Sequence, residues 1–145
     1  MNLFIHSDRQ KLIVRIESVE PESVRRWGTM TPPQALAHMG GQIACALGEL
    51  DVKPVFFPAF PGFKYLVVHV LPIPKGVPTA PELIVSDPAD LDTERRRLID
   101  VIERAAARGA DGPFESHPAF GRLSGKSWGV LMARHLDHHL RQFSA

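Results

Sequence analysis

Four stretches of the chain repeat apolar residues at three- and four-residue steps, the spacing that gives a helix one buried face. The first follows Ser7–Gln10, whose S-D-R-Q order has the form of a capping box. Leu12, Ile13 and Ile16 carry its face to about Ser18. Pro21 interrupts the pattern, and residues 22–28 read as a short turn or connecting helix ending at Trp27. The second stretch opens with Thr31 as N-cap and Pro32 at the first helical position, where proline is tolerated. It is expected to run to about Glu49, with Leu36, Met39, Ile43, Leu47 and Leu50 inward. The third starts near Asp90 or Asp92, turns Leu91, Leu98, Ile99, Val101, Ile102, Ala105 and Ala106 inward, and ends at Gly109. The run Glu94–Arg97 reads as its solvated face. The last spans Ser124 to Phe143, with Ser124 as its cap.

The segment from Asp51 to Pro88 holds most of the thirteen prolines and fits neither a long helix nor a central strand. Within it, Lys64 to Leu71 suits either a short helix or a strand. PIPKGVPTAPE reads as an ordered loop or polyproline-like crossover, and a connection of this length often covers a site. Residues 110–121 form a loop ending in the turn sequence HPAFG. Four helices without a clear strand predict an all-α fold, a four-helix bundle with a long proline-rich crossover between its second and third helices. No repeat or linker divides the chain, so residues 1–145 are expected to form a single domain.

Histidine, the commonest metal ligand near neutral pH, occurs seven times, three of them close together in the last helix. At about 100° per residue from Trp128, the residues Met132, Leu136, Leu140 and Phe143 fall between about 40° and 120°, one apolar stripe. His139 lies near 20° and His135 near 340°, both at the stripe's edge and four residues apart, the spacing at which two side chains share one face. His138, near 280°, lies toward the flank of Arg134, Asp137 and Arg141 and is the weaker candidate. A basic, solvated helix end accounts equally well for the histidines, since cations suit a helix C-terminus. His38 sits opposite the core face of the second helix beside Gln34, Gly41, Gln42 and Cys45. Periodicity alone does not bring it to the other two. Gly40-Gly41 costs helix propensity and suggests close approach of another element. His69 reads as a packed or surface residue, and His117 as a turn residue near a site by position.

Composition narrows the classes. Hydrophobic residues at 44% and charged residues at 23% are ordinary for a globular domain. A formal charge of +1, from 17 basic against 16 acidic residues, gives no footprint for nucleic acid. No apolar run is long enough for a membrane span, and MNLFIHSDRQ lacks a signal-peptide layout. The single cysteine, Cys45, excludes an internal disulfide, fits a reducing cytoplasmic setting, and reads as a small buried residue rather than a nucleophile.

The pieces WGTMTPPQALAHMGGQI, LPIPKGVPTAPE, HPAFGRLSGKSWG and HLDHHLRQF together resemble the DinB-like (DinB/YfiT) superfamily, within a branch known only as a domain of unknown function. The likeness runs from about Trp27 to Phe143. It implies a DinB-like four-helix bundle that holds one divalent metal ion through three histidines. One comes from the second helix and two, four apart, from the last; here these are His38, His135 and His139. Zinc or nickel suits such a set best, with iron or manganese as further candidates. The resemblance further implies a metal-dependent enzyme acting on a small-molecule substrate, an S-transferase that activates a low-molecular-weight thiol, or water. Three imidazoles leave open positions for that chemistry. His138, Gln142 and His117 are candidates for supporting the ligands or contacting substrate, because a ligating imidazole usually donates its outer N–H to a partner. Relatives often pair as homodimers. The long crossover departs from many transferase relatives, and a non-catalytic metal-stabilised or small-ligand-binding bundle is the competing reading.

Overall fold

A computed structural model describes residues 1–55, 60–76 and 79–145. Its elements are α1 (His6–Glu17), α2 (Pro32–Leu47), α3 (Pro61–His69), a 3-10 turn (Pro81–Leu83), α4 (Leu91–Arg108) and α5 (Gly125–Gln142). The described residues are all-helical, five helices with no strand, as the periodicity predicts. The fifth helix is α3, which resolves the open reading of 64–71 in favour of helix. It means that the proline-rich segment is partly structured rather than loop throughout. Residues 56–59 and 77–78 of that segment, within the readings of PVFFPAFPGF and PIPKGVPTAPE, lie outside the described residues.

Local chemistry explains most helix ends. Thr31 and Gln34 form a reciprocal capping box at α2, and Gly48 closes that helix at φ 80°. Asp90 accepts from the Thr93 N–H at α4, and Ser124 from the Ser127 N–H at α5. The SDRQ expectation is corrected: α1 begins at His6 after Ile5, which makes no side-chain cap. Asp8 instead accepts from the backbone N–H of Asn2, so the acidic group serves the segment ahead of the helix. Residues 22–28 form turns and bends, not a helix.

The helices α5 and α2 pack on each other, α4 covers α2, and α1 lies against α5 and α4. Trp128, Met132, Leu136 and Leu140 are fully buried along α5 with Phe143 close behind, the stripe that the helical rotation places inward. Burial of each such side chain is worth about 1.5–3 kcal/mol. Opposing faces of α2 are both covered: Leu36, Met39, Ile43 and Ala46 on one, His38, Gln42 and Cys45 on the other. Its glycines permit this, since a Cβ at Gly41 would stand 3.2 Å from the Leu83 side chain. The N-terminal segment crosses α5 at Gly129, where Leu3 N–H donates to the Gly129 carbonyl at 3.0 Å. A Cβ there would overlap Asn2 and Phe4.

Glu94 departs from the solvated role expected of it, and Arg134 has a specific structural one. Glu94 is only 5% exposed; its Oε1 accepts from the Ala89 N–H at 2.9 Å and from Arg97 at 2.8 Å. Charge alone therefore misreads it, because the approach to α4 folds back over the carboxylate. Arg134 donates to the carbonyls of Val67, Val68 and Leu71. It thereby satisfies acceptors at the C-terminal end of α3 and fastens that helix to α5.

Candidate metal centre

The rotation of α5 and the burial of both faces of α2 bring three imidazoles together. His38, His135 and His139 each offer a ring nitrogen, and these nitrogens all lie within 4.8 Å of one another. Ring centroids are 4.9 Å apart for His38 and His135, 4.8 Å for His38 and His139, and 4.7 Å for His135 and His139. The Nε2 atoms of His38 and His135 stand 3.1 Å apart. Two nitrogens each about 2.0–2.1 Å from a shared ion, at angles between octahedral and tetrahedral, are separated by about 2.9–3.4 Å. The observed spacing falls inside that interval.

Hydrogen bonds at the outer nitrogens decide where the lone pairs lie. His38 Nδ1 donates to the Leu83 carbonyl at 3.1 Å, which leaves Nε2 of the neutral ring as its acceptor. His139 Nδ1 donates to Gln142 Oε1 at 3.1 Å, with the same consequence. The Gln142 amide is itself oriented, because its Nε2 donates to the Trp27 carbonyl at 2.6 Å. Gln142 is 2% exposed, and Gly28 leaves it room: a Cβ on Gly28 would lie 2.7 Å from Gln142 Nε2. His135 Nδ1 is buried without a hydrogen-bond partner among the described residues.

Electrostatics keep the rings neutral. Burial lowers the His38 pKa against the opposing pull of its bond to Leu83. His135 is held well below the usual histidine range by burial, then by His139 and His38. Burial and the neighbouring His38 bring His139 to about 4, despite the bond to Gln142. Neutral imidazoles with convergent lone pairs are the form that binds a cation. If those lone pairs met only each other, at least one would remain unsatisfied in a buried setting, at a cost of about 1–3 kcal/mol. These three residues can hold a metal ion, and the donor set fits one.

The other sequence candidates divide. Gln142 is where it can orient a ligand. His138 packs edge-on to His139 at 5.1 Å and tilted against Trp27 at 5.7 Å, beside the group rather than in it. Lys75 lies over the Trp27 ring at 4.2 Å, which brings the crossover to this edge. His117 takes no part in the cluster: its Nδ1 accepts from the Ala119 and Phe120 N–H groups at 3.0 and 3.2 Å, and its ring packs on Phe120 and Trp128. Sequence reasoning missed Leu83 and Trp27, since both act through a main-chain carbonyl, which carries no residue-type signal.

Neither a curated protein nor a solved structure matches the chain. The profile of one family, described as Protein of unknown function (DUF1569), matches residues 69–145. The matched span contains α4, α5 and two of the three clustered histidines, but not His38. With more than half its length matched, the chain belongs to the DUF1569 family.

Proposed function

We propose that His38, His135 and His139 bind one divalent metal ion and that the protein is a single-domain, DinB-like metal-dependent enzyme acting on a small molecule, an S-transferase that activates a low-molecular-weight thiol. The observation that carries this reading is the convergence of three neutral imidazoles whose outer hydrogen bonds, at two of the three, turn Nε2 toward a common point. When bound, a divalent ion with open coordination positions supplies Lewis acidity, which brings the proton of a coordinated thiol or water within reach of neutral pH. The chain's own contribution is orientation. Leu83 fixes the His38 tautomer, Gln142 fixes that of His139, and the apolar stripe of α5 holds both α5 histidines in register. His138 and Lys75 both lie against Trp27 beside the cluster, and in this reading they contact the substrate. The resemblance also implies a homodimer, which light scattering tests against a 16.1 kDa chain.

Turnover tests the enzyme reading. Protein loaded with zinc or nickel, given a panel of low-molecular-weight thiols and the electrophile monochlorobimane, is expected to accelerate conjugate formation. His139→Ala should return the rate to background. No acceleration by loaded protein over the whole panel would contradict the transferase reading.

One observation favours the alternative, a metal-stabilised bundle without catalysis. An open groove of about 210 Å3 between α2 and α4, lined by Gly40, Gly41, Glu94, Arg97 and their neighbours, offers a small ligand a place apart from the three histidines. Under that reading, metal raises the melting temperature and turnover is absent.

A further inference from the structure

Apart from the three histidines, the start of α5 carries a relay of hydroxyls that ends on another histidine. Ser124 Oγ donates to Ser127 Oγ at 3.0 Å, and Ser127 Oγ lies 3.1 Å from His69 Nε2. Ser127 Oγ thus stands between a hydroxyl and an imidazole nitrogen, and in the Nδ1-protonated tautomer of His69 the Nε2 atom accepts the Ser127 proton. Ser124 also accepts from the Ser127 backbone N–H at 3.2 Å, which fixes Ser127 in the first turn. His69 ends α3, and its ring is stacked on Tyr65, centroids 4.6 Å apart at 22°. Arg134 joins the end of α3 to α5 through three carbonyls, so both partners of the relay sit on elements tied to each other.

A hydroxyl within hydrogen-bond reach of an imidazole that is itself held by a third group is the arrangement of an activated nucleophile. Both residues are half-buried and Tyr65 is 61% exposed, so a small molecule can reach them. Gly125 and Lys126 immediately precede Ser127 at the head of α5. The first N–H groups of a helix have no intrahelical acceptor and suit a developing oxyanion.

The geometry points to a second chemical site, a serine–histidine pair that cleaves small activated carboxylic esters. Ser127 Oγ bonds to the ester carbonyl carbon while its proton passes to His69 Nε2. The carbon–oxygen bond to the alcohol then breaks, and His69 returns the proton to the departing alkoxide. Water, deprotonated by His69, attacks the acyl carbon; Ser127 leaves and recovers its proton, and the carboxylic acid is released. Ester and water become acid and alcohol, with no change of oxidation state. Neither residue belongs to the three-histidine cluster, so the site stands or falls independently of metal binding.

Active-site labelling tests it on the full chain without a tag. A fluorophosphonate reacts with such a serine by forming a phosphorus–oxygen bond and losing fluoride. Protein treated with EDTA and then with the probe is expected to carry one adduct, located at Ser127 by peptide mass mapping, and to hydrolyse p-nitrophenyl acetate faster than buffer. His69→Gln should slow both reactions at least tenfold. Mapping on the wild type needs no variant to fold, and circular dichroism checks the folding of His69→Gln. An unmodified Ser127 under conditions that label a known serine hydrolase would overturn the proposal. So would equal labelling of folded His69→Gln, or labelling that EDTA abolishes.

Discussion

His139 and His117 are both half-buried histidines with pKa values held near 4, yet their lone pairs are used in opposite ways. In His139, Nδ1 gives its proton to Gln142, and Nε2 is turned toward two other imidazoles. In His117, Nδ1 is the acceptor, taken up by two backbone N–H groups of the HPAFG turn. Burial and a lowered pKa therefore do not mark a metal ligand. Which nitrogen donates, and to what, separates a histidine that can bind an ion from one that staples a loop.

The largest expected effect breaks the staple. His117→Ala leaves the Ala119 and Phe120 N–H groups without their acceptor and removes the ring between Phe120 and Trp128. It should cost about 3–4 kcal/mol of stability, read by urea denaturation, while metal stoichiometry stays at the wild-type value. Metal loss in folded His117→Ala would erase the distinction between the two sites.

The pH dependence sharpens the same contrast. An unfolded His117 takes its proton near pH 6.5, the folded one only near 4 because burial, then Lys64, opposes the charge. Between those values the unfolded state binds more protons, so stability falls as pH falls and levels off below about 4. The expected loss from this residue is on the order of 2–3 kcal/mol. Denaturation in EDTA from pH 7 to 4 should show a slope that is shallower in His117→Ala.

A smaller effect concerns the orienting bond. Gln142→Ala removes the acceptor for His139 Nδ1 and should weaken zinc binding about 10- to 100-fold, with stoichiometry preserved at saturating zinc. Calorimetric titration reads it, and unchanged affinity would show that Gln142 does not orient its neighbour. Smallest of all, Gly28→Ala places a Cβ against Gln142 at a φ of 75°. It should cost about 1–2 kcal/mol, seen as a modest drop in melting temperature, together with a partial loss of zinc affinity.

The helical half of the molecule was legible because burial repeats with the helical period. The stripe from Trp128 to Phe143, the N-cap at Thr31 and the caps at Asp90 and Ser124 all follow from residue type and spacing. The same rotation placed His135 and His139 together on the inward edge of α5. His38 was not legible in this way: bringing it to α5 depends on how α2 packs, which periodicity does not encode, and only the family resemblance pointed to it. The crossover hid more. Apolar runs such as 64–71 suit two secondary structures, and its chief service to the site, the Leu83 carbonyl, is an atom every residue possesses. Glu94 misled for a related reason, since beside its pairing with Arg97 it is covered by the Ala89 N–H, a main-chain group that sequence patterns do not reveal. Gln142 could be suspected because it follows His139 by three residues on α5, within reach of its outer nitrogen.

Metal content measures directly whether the three imidazoles share one ion. Untagged wild type, His38→Ala, His135→Ala and His139→Ala should be equilibrated with zinc, nickel, iron or manganese, desalted, and assayed by elemental mass spectrometry. About one ion per chain is expected in the wild type and near none in each variant that remains folded. A wild type that stays empty with all four metals, or folded variants that each keep a full ion, would contradict a shared site.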